Sequence, residues 1–136
     1  MILIKDIPLV NLQKAVFKLL KEGQTCAIYG DVPYDASLPY ITIGAIQAKP
    51  NGSKDSVLWT ISVQIDVWAD KNGKKTVNDT LNDISTLISY YGTTLAVENY
   101  AVVDANIDLA ETFPEETTGY HGTLTASFTL SQNITK

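Results

Sequence analysis

The clearest pattern in the chain is an alternation over positions 57–69 between an apolar set of residues and a mostly polar set that has Leu58 and Trp68 at its ends. Because successive side chains of a β-strand point to opposite faces of its sheet, this segment is predicted to be a strand with one fully apolar face. The other face is polar in its middle, at Thr60, Ser62, Gln64 and Asp66. This half-polar face is predicted to meet either solvent or another copy of the chain.

Further strands are predicted on both sides of this segment. Positions 120–130 alternate apolar residues and glycine with histidine, threonine and serine, which predicts a second half-buried strand. β-Branched and apolar residues predict a strand over 40–48, a short one near 27–29, and one long or two short strands between 95 and 109. The last of these is predicted to end at the acidic, proline-containing segment 111–116.

Two amphipathic helices complete the pattern. Apolar residues recur at helical spacing over 9–20, between Pro8 and Gly23, and again over 77–91, before Gly92. The order is therefore helix, strand hairpin, helix and then two or more strands, and short connections make neighbouring strands antiparallel. We expect an α+β fold in which two helices pack on one face of a mainly antiparallel sheet of about four strands. With 136 residues, the chain is predicted to form a single domain spanning 1–136.

Composition and charge narrow the possible functions. The chain is 45% hydrophobic and 18% charged, which is typical of a globular protein. Its net charge of -5 disfavours tight binding of nucleic acid. The single cysteine, Cys26, excludes an internal disulfide, the N-terminal residues become charged too early for a signal peptide, and no apolar run is long enough to span a membrane. A soluble, intracellular product is expected.

Few residues are candidates for chemistry. His121 is the only histidine, so it would have to carry any histidine-dependent catalysis, and an exposed strand histidine is the alternative interpretation. Cys26 is expected in or near the core. Asp31 and Asp35 flank Pro33 at a spacing that matches no calcium loop, and local backbone capping is the favoured interpretation. Phosphate-loop, metal-spacing and nucleophile-elbow motifs are missing. No catalytic residue, cofactor or metal is predicted, and the chain is not expected to be an enzyme.

Two surfaces remain as candidates for interaction. One is a polar loop longer than a minimal hairpin turn, formed by Lys49, Pro50, Asn51, Gly52, Ser53, Lys54 and Asp55. The other is acidic and comprises Asp104, Asp108, Glu111, Glu115 and Glu116. For the acidic residues, a solvated surface is one interpretation, and a field that repels DNA passing nearby is the other.

Three segments together resemble a known family. They are Tyr29-Gly30-Asp31-Val32-Pro33, Leu38-Pro39-Tyr40-Ile41-Thr42-Ile43-Gly44 and Gln64-Ile65-Asp66-Val67-Trp68. With the N-terminal helix, they resemble the tail completion proteins of long-tailed bacteriophages, a family that includes tail-to-head joining and tail terminator proteins. The resemblance covers nearly the whole chain, although the loop 49–56 has its own sequence and the lysines that follow Trp68 map to no family role.

The resemblance implies a structural role in the virion. Members of this family form six-fold rings that cap the finished tail tube, stop its growth and present the surface that docks to the filled head. A protein of this kind is expected in the virion tail or neck, and in the host cytoplasm during assembly. Its implied partners are copies of itself, the tail tube protein and a head completion or connector protein, while DNA passes through without specific binding and no membrane is involved. Two alternatives stay open: another neck component, or a small host enzyme or ligand-binding domain that uses Asp31, Asp35 and His121.

Overall fold

The helices and strands follow the predicted order along the chain. The computed structural model describes residues 7–23, 26–52 and 57–133. The elements are α1 (Leu9–Gly23), β1 (Ala27–Tyr29), β2 (Tyr40–Pro50), β3 (Leu58–Ala69), α2 (Lys74–Tyr91), β4 (Tyr100–Glu115) and β5 (Gly119–Gln132). A short 3-10 helix, Gly92–Thr94, continues α2. The predicted α+β class is confirmed.

The strands form one sheet in the order β1-β2-β3-β5-β4. All neighbouring strands are antiparallel except β1 and β2, which are parallel. β5 is thus the last strand in sequence but lies inside the sheet, whereas β1 and β4 form its edges. The sheet has five strands rather than about four because the three residues of β1 pair with the beginning of β2.

The core lies between the helices and one face of the sheet. α1 packs on β1 and β2, and α2 packs on β3, β5 and β4. The alternating segment of β3 places its apolar residues in this core, as its pattern predicts, and β5 does the same with Leu124, Phe128 and Leu130. Each large aliphatic side chain buried in this way contributes roughly 1.5–3 kcal/mol to folding. Because most apolar strand positions face the helices, most polar positions fall on the opposite face, which also carries the apolar residues Trp68, Leu109 and Phe113.

β4 differs from its prediction. It is one strand of 16 residues that continues through the acidic segment to Glu115, and Val97 makes only an isolated bridge with Tyr100. The predicted end at Glu111 is wrong because Pro114 lies in an edge strand, where a missing backbone N–H costs no sheet hydrogen bond. Pairing shifts register after Val102 and again after Ile107, so one extra residue bulges at each place.

Candidate functional site

One face of the sheet has no described helix across it, and polar side chains cover most of this open face. The register of β3 and β5 pairs Thr60 with Thr129, Ser62 with Ser127 and Gln64 with Thr125. These side chains alternate with the core residues of the same strands, so they project away from the helices. The half-polar face that the sequence predicts on β3 is therefore continuous across the middle of the sheet.

The five predicted acidic residues lie together along this open face and its edge. Asp104 pairs with Thr129, and Glu111 pairs with Thr123, so both lie on the open-face positions of β4. Asp108 is the bulged residue that accepts a hydrogen bond from Ser127 Oγ. Glu115 ends β4, and Glu116 begins the turn after it.

These carboxylates have little basic charge near them in the sheet. Lys49, opposite Thr60 at the far end of β2, is the one lysine or arginine in the described strands. A surface on which one sign of charge dominates repels molecules of the same sign. The open face is therefore chemically suited to face a polyanion without binding it.

A buried polar cluster lies at one end of the open face. His121 Nε2 donates a hydrogen bond to Asp66 Oδ1 at 2.8 Å, and the Asp66 residue is only 5% exposed. The His121 ring stacks on the Trp68 indole with a centroid distance of 3.8 Å, and the Phe113 ring lies 4.8 Å away on the other neighbouring strand. The Glu115 carboxylate is 3.8 Å from His121 Nδ1.

The prediction of an exposed histidine is therefore wrong. The His121 side chain is 12% exposed because the strand register places it between Trp68 and Phe113. The sequence does show Asp66 and His121 on polar strand positions. Their contact depends on the pairing of β3 with β5, which joins residues far apart in the chain and has no local signal.

Gly44 makes room for the buried carboxylate. An ideal Cβ at Gly44 would lie 2.6 Å from Asp66 Oδ2, and the register of β2 against β3 shifts between Ile43 and Ile46. Gln64 Nε2 donates to Asp66 Oδ1 at 3.1 Å. The carboxylate is thus held from two sides, and the arrangement is one of structural hydrogen bonds.

A cavity of about 570 Å³ opens beside this cluster. Its lining residues are Gly30, Val32, Tyr40, Thr42, Trp68, Glu115, Thr117 and Thr118. Asp31, Asp35 and His121 do not line it, and both aspartates are exposed. The structure therefore does not bring these three side chains together around this cavity.

The remaining candidate residues are spread over the molecule. Cys26 packs against the core as predicted, with its Sγ 3.7 Å from Thr80 Oγ1. Of the predicted polar loop, Lys49 and Pro50 instead belong to β2, where they pair with Thr60 and Trp59 of β3. Asn51 Nδ2 donates to Thr60 Oγ1 at 3.2 Å, whereas Ser53, Lys54 and Asp55 lie outside the described residues. Over ranges 7–23, 26–52 and 57–133, no group of three or more metal-ligating side chains is close enough to hold an ion. No described helix is long and apolar enough to cross a membrane.

The fold and the open face define a two-layer α+β domain with helices on one side and an acidic, polar sheet surface on the other. The chain belongs to the tail completion protein gp17 family, whose sequence model matches residues 13–131. This is a family of structural phage tail proteins. The resemblance identified in the sequence is thereby confirmed. No curated protein matches the sequence.

Two of the solved structures that match illustrate the shared fold. A chain in the virion of a native gene transfer agent particle superposes with a TM-score of 0.71 at 18% identity, over 88% of this chain and 94% of that chain. The gp17 protein of bacteriophage SPP1 superposes with a TM-score of 0.55 at 20% identity, over 93% of each chain. At these identities, the comparison establishes a common fold.

Proposed function

We propose that this protein is a tail terminator of a phage or prophage. Copies of the chain close into a ring, with six as the expected number, on the head-proximal end of the tail tube. The ring stops growth of the tube and presents the surface to which the filled head docks. Membership of the tail completion family supports this role, and the acidic open face of the sheet is the observation that carries it.

The open face suits the lumen of such a ring. DNA that leaves the head must pass through this lumen, and each phosphate carries a negative charge. A wall with Glu111, Glu115 and Glu116 repels the DNA backbone at distances within roughly 10 Å at ordinary salt. DNA therefore slides through without being held, and no base-specific contact is needed.

The other parts of the proposal concern partners and place. The tail tube protein contacts one rim of the ring, and a head completion or connector protein contacts the other. The segment from Lys49 to Asp55 is the proposed contact with the tube or a neighbouring copy. The protein acts in the virion neck after assembly in the host cytoplasm, and it works by shape without catalysis or a cofactor.

Phage particles that lack this chain provide the direct test. In its absence, we expect tails of uncontrolled length that fail to join heads, and both defects should disappear when the purified protein is added to the lysate. Electron microscopy of negatively stained particles measures tail length and the fraction of joined particles. Normal tails joined to heads in the absence of the chain would contradict the proposal, as would binding of the protein to tail-less heads instead of tails.

A double substitution in the loop tests whether these residues are needed for assembly and not for folding. Lys54→Ala with Asp55→Ala should leave the unfolding temperature unchanged but abolish the joining of heads to tails. Lys75→Ala with Asp79→Ala is a matched control, because it removes the same two charges from an exposed ion pair on α2. Equal joining by both variants would remove the loop from the proposal.

A further inference from the structure

α1 has a second face that the core does not use. Val10, Lys14, Phe17 and Lys21 follow one another at helical spacing on the side away from the buried residues Leu12, Val16 and Leu20. We call these four residues the outer α1 stripe. Val10 is 64% exposed, and Val10, Gln13, Lys14 and Phe17 line a shallow hollow of about 350 Å³. The stripe thus presents apolar and basic side chains in alternation.

The lysines of the stripe have no carboxylate partner in the described part of the chain. The ion pairs there involve Lys75 and His121, and neither Lys14 nor Lys21 takes part in one. α1 contains a third lysine, Lys18, and Glu22 is its single acidic residue. The helix therefore carries a net positive charge on a molecule whose overall charge is -5.

The opposite edge of the molecule has complementary properties. Val103 is 55% exposed and Leu109 is 57% exposed, and Asp104 and Asp108 lie between them on β4. We call these four residues the β4 edge patch. The two bulges make Val103 and Asp108 the extra residues of the strand, which directs them out of the regular pairing with β5.

The bulges also decide what kind of contact this edge accepts. Bulges and proline interrupt the row of backbone groups that a further strand would need. Asp104 Oδ1 already accepts a hydrogen bond from the Ala105 backbone N–H at 3.1 Å. Side-chain docking of a helix is therefore favoured over the addition of a strand.

The spacing of charges agrees on the two surfaces. Lys14 and Lys21 are separated by two helical turns, or about 10 Å along the axis. Asp104 and Asp108 are separated by at most about 13 Å of strand. One carboxylate can thus face each ammonium group while the exposed apolar side chains meet beside them.

We propose, as a consequence of the ring assembly proposed above, that the outer α1 stripe of one copy docks on the β4 edge patch of the next. α1 packs over β1 and β2, whereas β4 is the far edge of the sheet, so the two surfaces lie at opposite ends of the domain. Contacts between unlike surfaces at opposite ends propagate from copy to copy and close when the rotation closes. The partner that this surface fits is therefore a second copy of the chain.

Two single substitutions test this contact between the outer α1 stripe and the β4 edge patch, which we call the junction. Val10→Asp places a carboxylate among acidic residues in the contact, and Leu109→Asp removes an apolar anchor from the patch. Each should weaken assembly at least about tenfold, because burying an unpaired charge costs more than the 1.4 kcal/mol that a factor of ten represents. Val32→Asp is the control, since Val32 is also exposed, at 42%, but belongs to neither surface. Native mass spectrometry of the full chain, alone and with purified unterminated tails, measures the assemblies.

A mixture of the two variants gives the decisive result. The Leu109→Asp copy keeps an intact stripe and the Val10→Asp copy keeps an intact patch, so an equal mixture should form mixed dimers and no rings. Lys14→Glu with Lys21→Glu should also prevent assembly, and adding Asp104→Lys with Asp108→Lys in the same chain should restore it.

The outcomes separate this junction from the proposed function. If both single variants still form wild-type rings, the junction is wrong and the terminator role stands. If rings depend on the junction but tails grow to uncontrolled length in the presence of the wild-type protein, the junction stands and the terminator role is wrong. A wild-type chain that stays monomeric both alone and on tails would overturn both.

Discussion

At the scale of single residues, the Asp66–His121 contact shows how a polar strand face becomes structured. Neither residue has a local reason to be buried, and their hydrogen bond spans 55 positions of sequence. Trp68 and Phe113 shield the pair from water, and Trp68 Nε1 is itself fixed by a hydrogen bond to Thr42 Oγ1 at 3.0 Å. The cluster therefore holds four neighbouring strands, β2, β3, β5 and β4, in register at one end of the sheet.

Removal of this carboxylate should destabilise the fold. Asp66→Ala leaves His121 and Gln64 without their shared acceptor, and a buried group that loses its partner costs about 1–3 kcal/mol. Urea unfolding followed by tryptophan fluorescence measures the loss. Asp83→Ala on the exposed face of α2 is the control and should change stability by less than about 0.5 kcal/mol. Equal midpoints for the two variants would show that the cluster contributes nothing to stability.

At the scale of elements, periodicity predicted most of the fold. The helices and the strands β3 and β5 were predictable because each buries one face, which imposes a repeat on the sequence. The end of β4 could not be predicted, because an edge strand tolerates the proline and acidic residues that usually mark a loop. Which polar residues meet on the open face was not predictable either, since the order β3-β5-β4 is set by tertiary pairing.

The turn between β4 and β5 depends on one glycine. Gly119 has φ of +132°, and an ideal Cβ there would lie 2.2 Å from the carbonyl carbon of Asp70. Gly119→Ala should therefore lower stability by more than about 1 kcal/mol, because both its backbone conformation and its packing are incompatible with a side chain. Gly30→Ala is a matched control, since a Cβ at Gly30 meets no atom within 4 Å. Thermal unfolding measures the midpoint temperature of each variant. Equal midpoints for Gly119→Ala and Gly30→Ala would refute this account.

At the scale of the whole molecule, charge is divided between the two layers. α1 carries Lys14, Lys18 and Lys21, while the strand β4 carries four acidic residues and no basic one. The two sides of the molecule therefore present different electrostatic potentials to their partners. In the proposed ring, the acidic side faces the DNA.

Reversal of charge on the open face should create DNA binding. Glu111→Lys with Glu116→Lys gives the lumen wall basic groups, and the assembled protein should then retain double-stranded DNA at about 50 mM salt and release it near 200 mM. Asp79→Lys with Asp83→Lys makes the same change in net charge on α2 and serves as the control. Gel mobility measures retention, and equal retention by both variants would argue against a lumen position for the open face.

The position of β5 within the sheet has a consequence for synthesis. A ribosome makes the chain from its N-terminus at about 5–20 residues per second, so β3 and β4 emerge before the strand that joins them. Until Gly119–Gln132 is available, nascent chains hold the β1-β2-β3 part of the sheet with an exposed edge at β3, and β4 has no strand to pair with. Native structure is thus acquired only after β5 has been made, and an mRNA truncated within the codons of this strand should yield polypeptides that proteases remove.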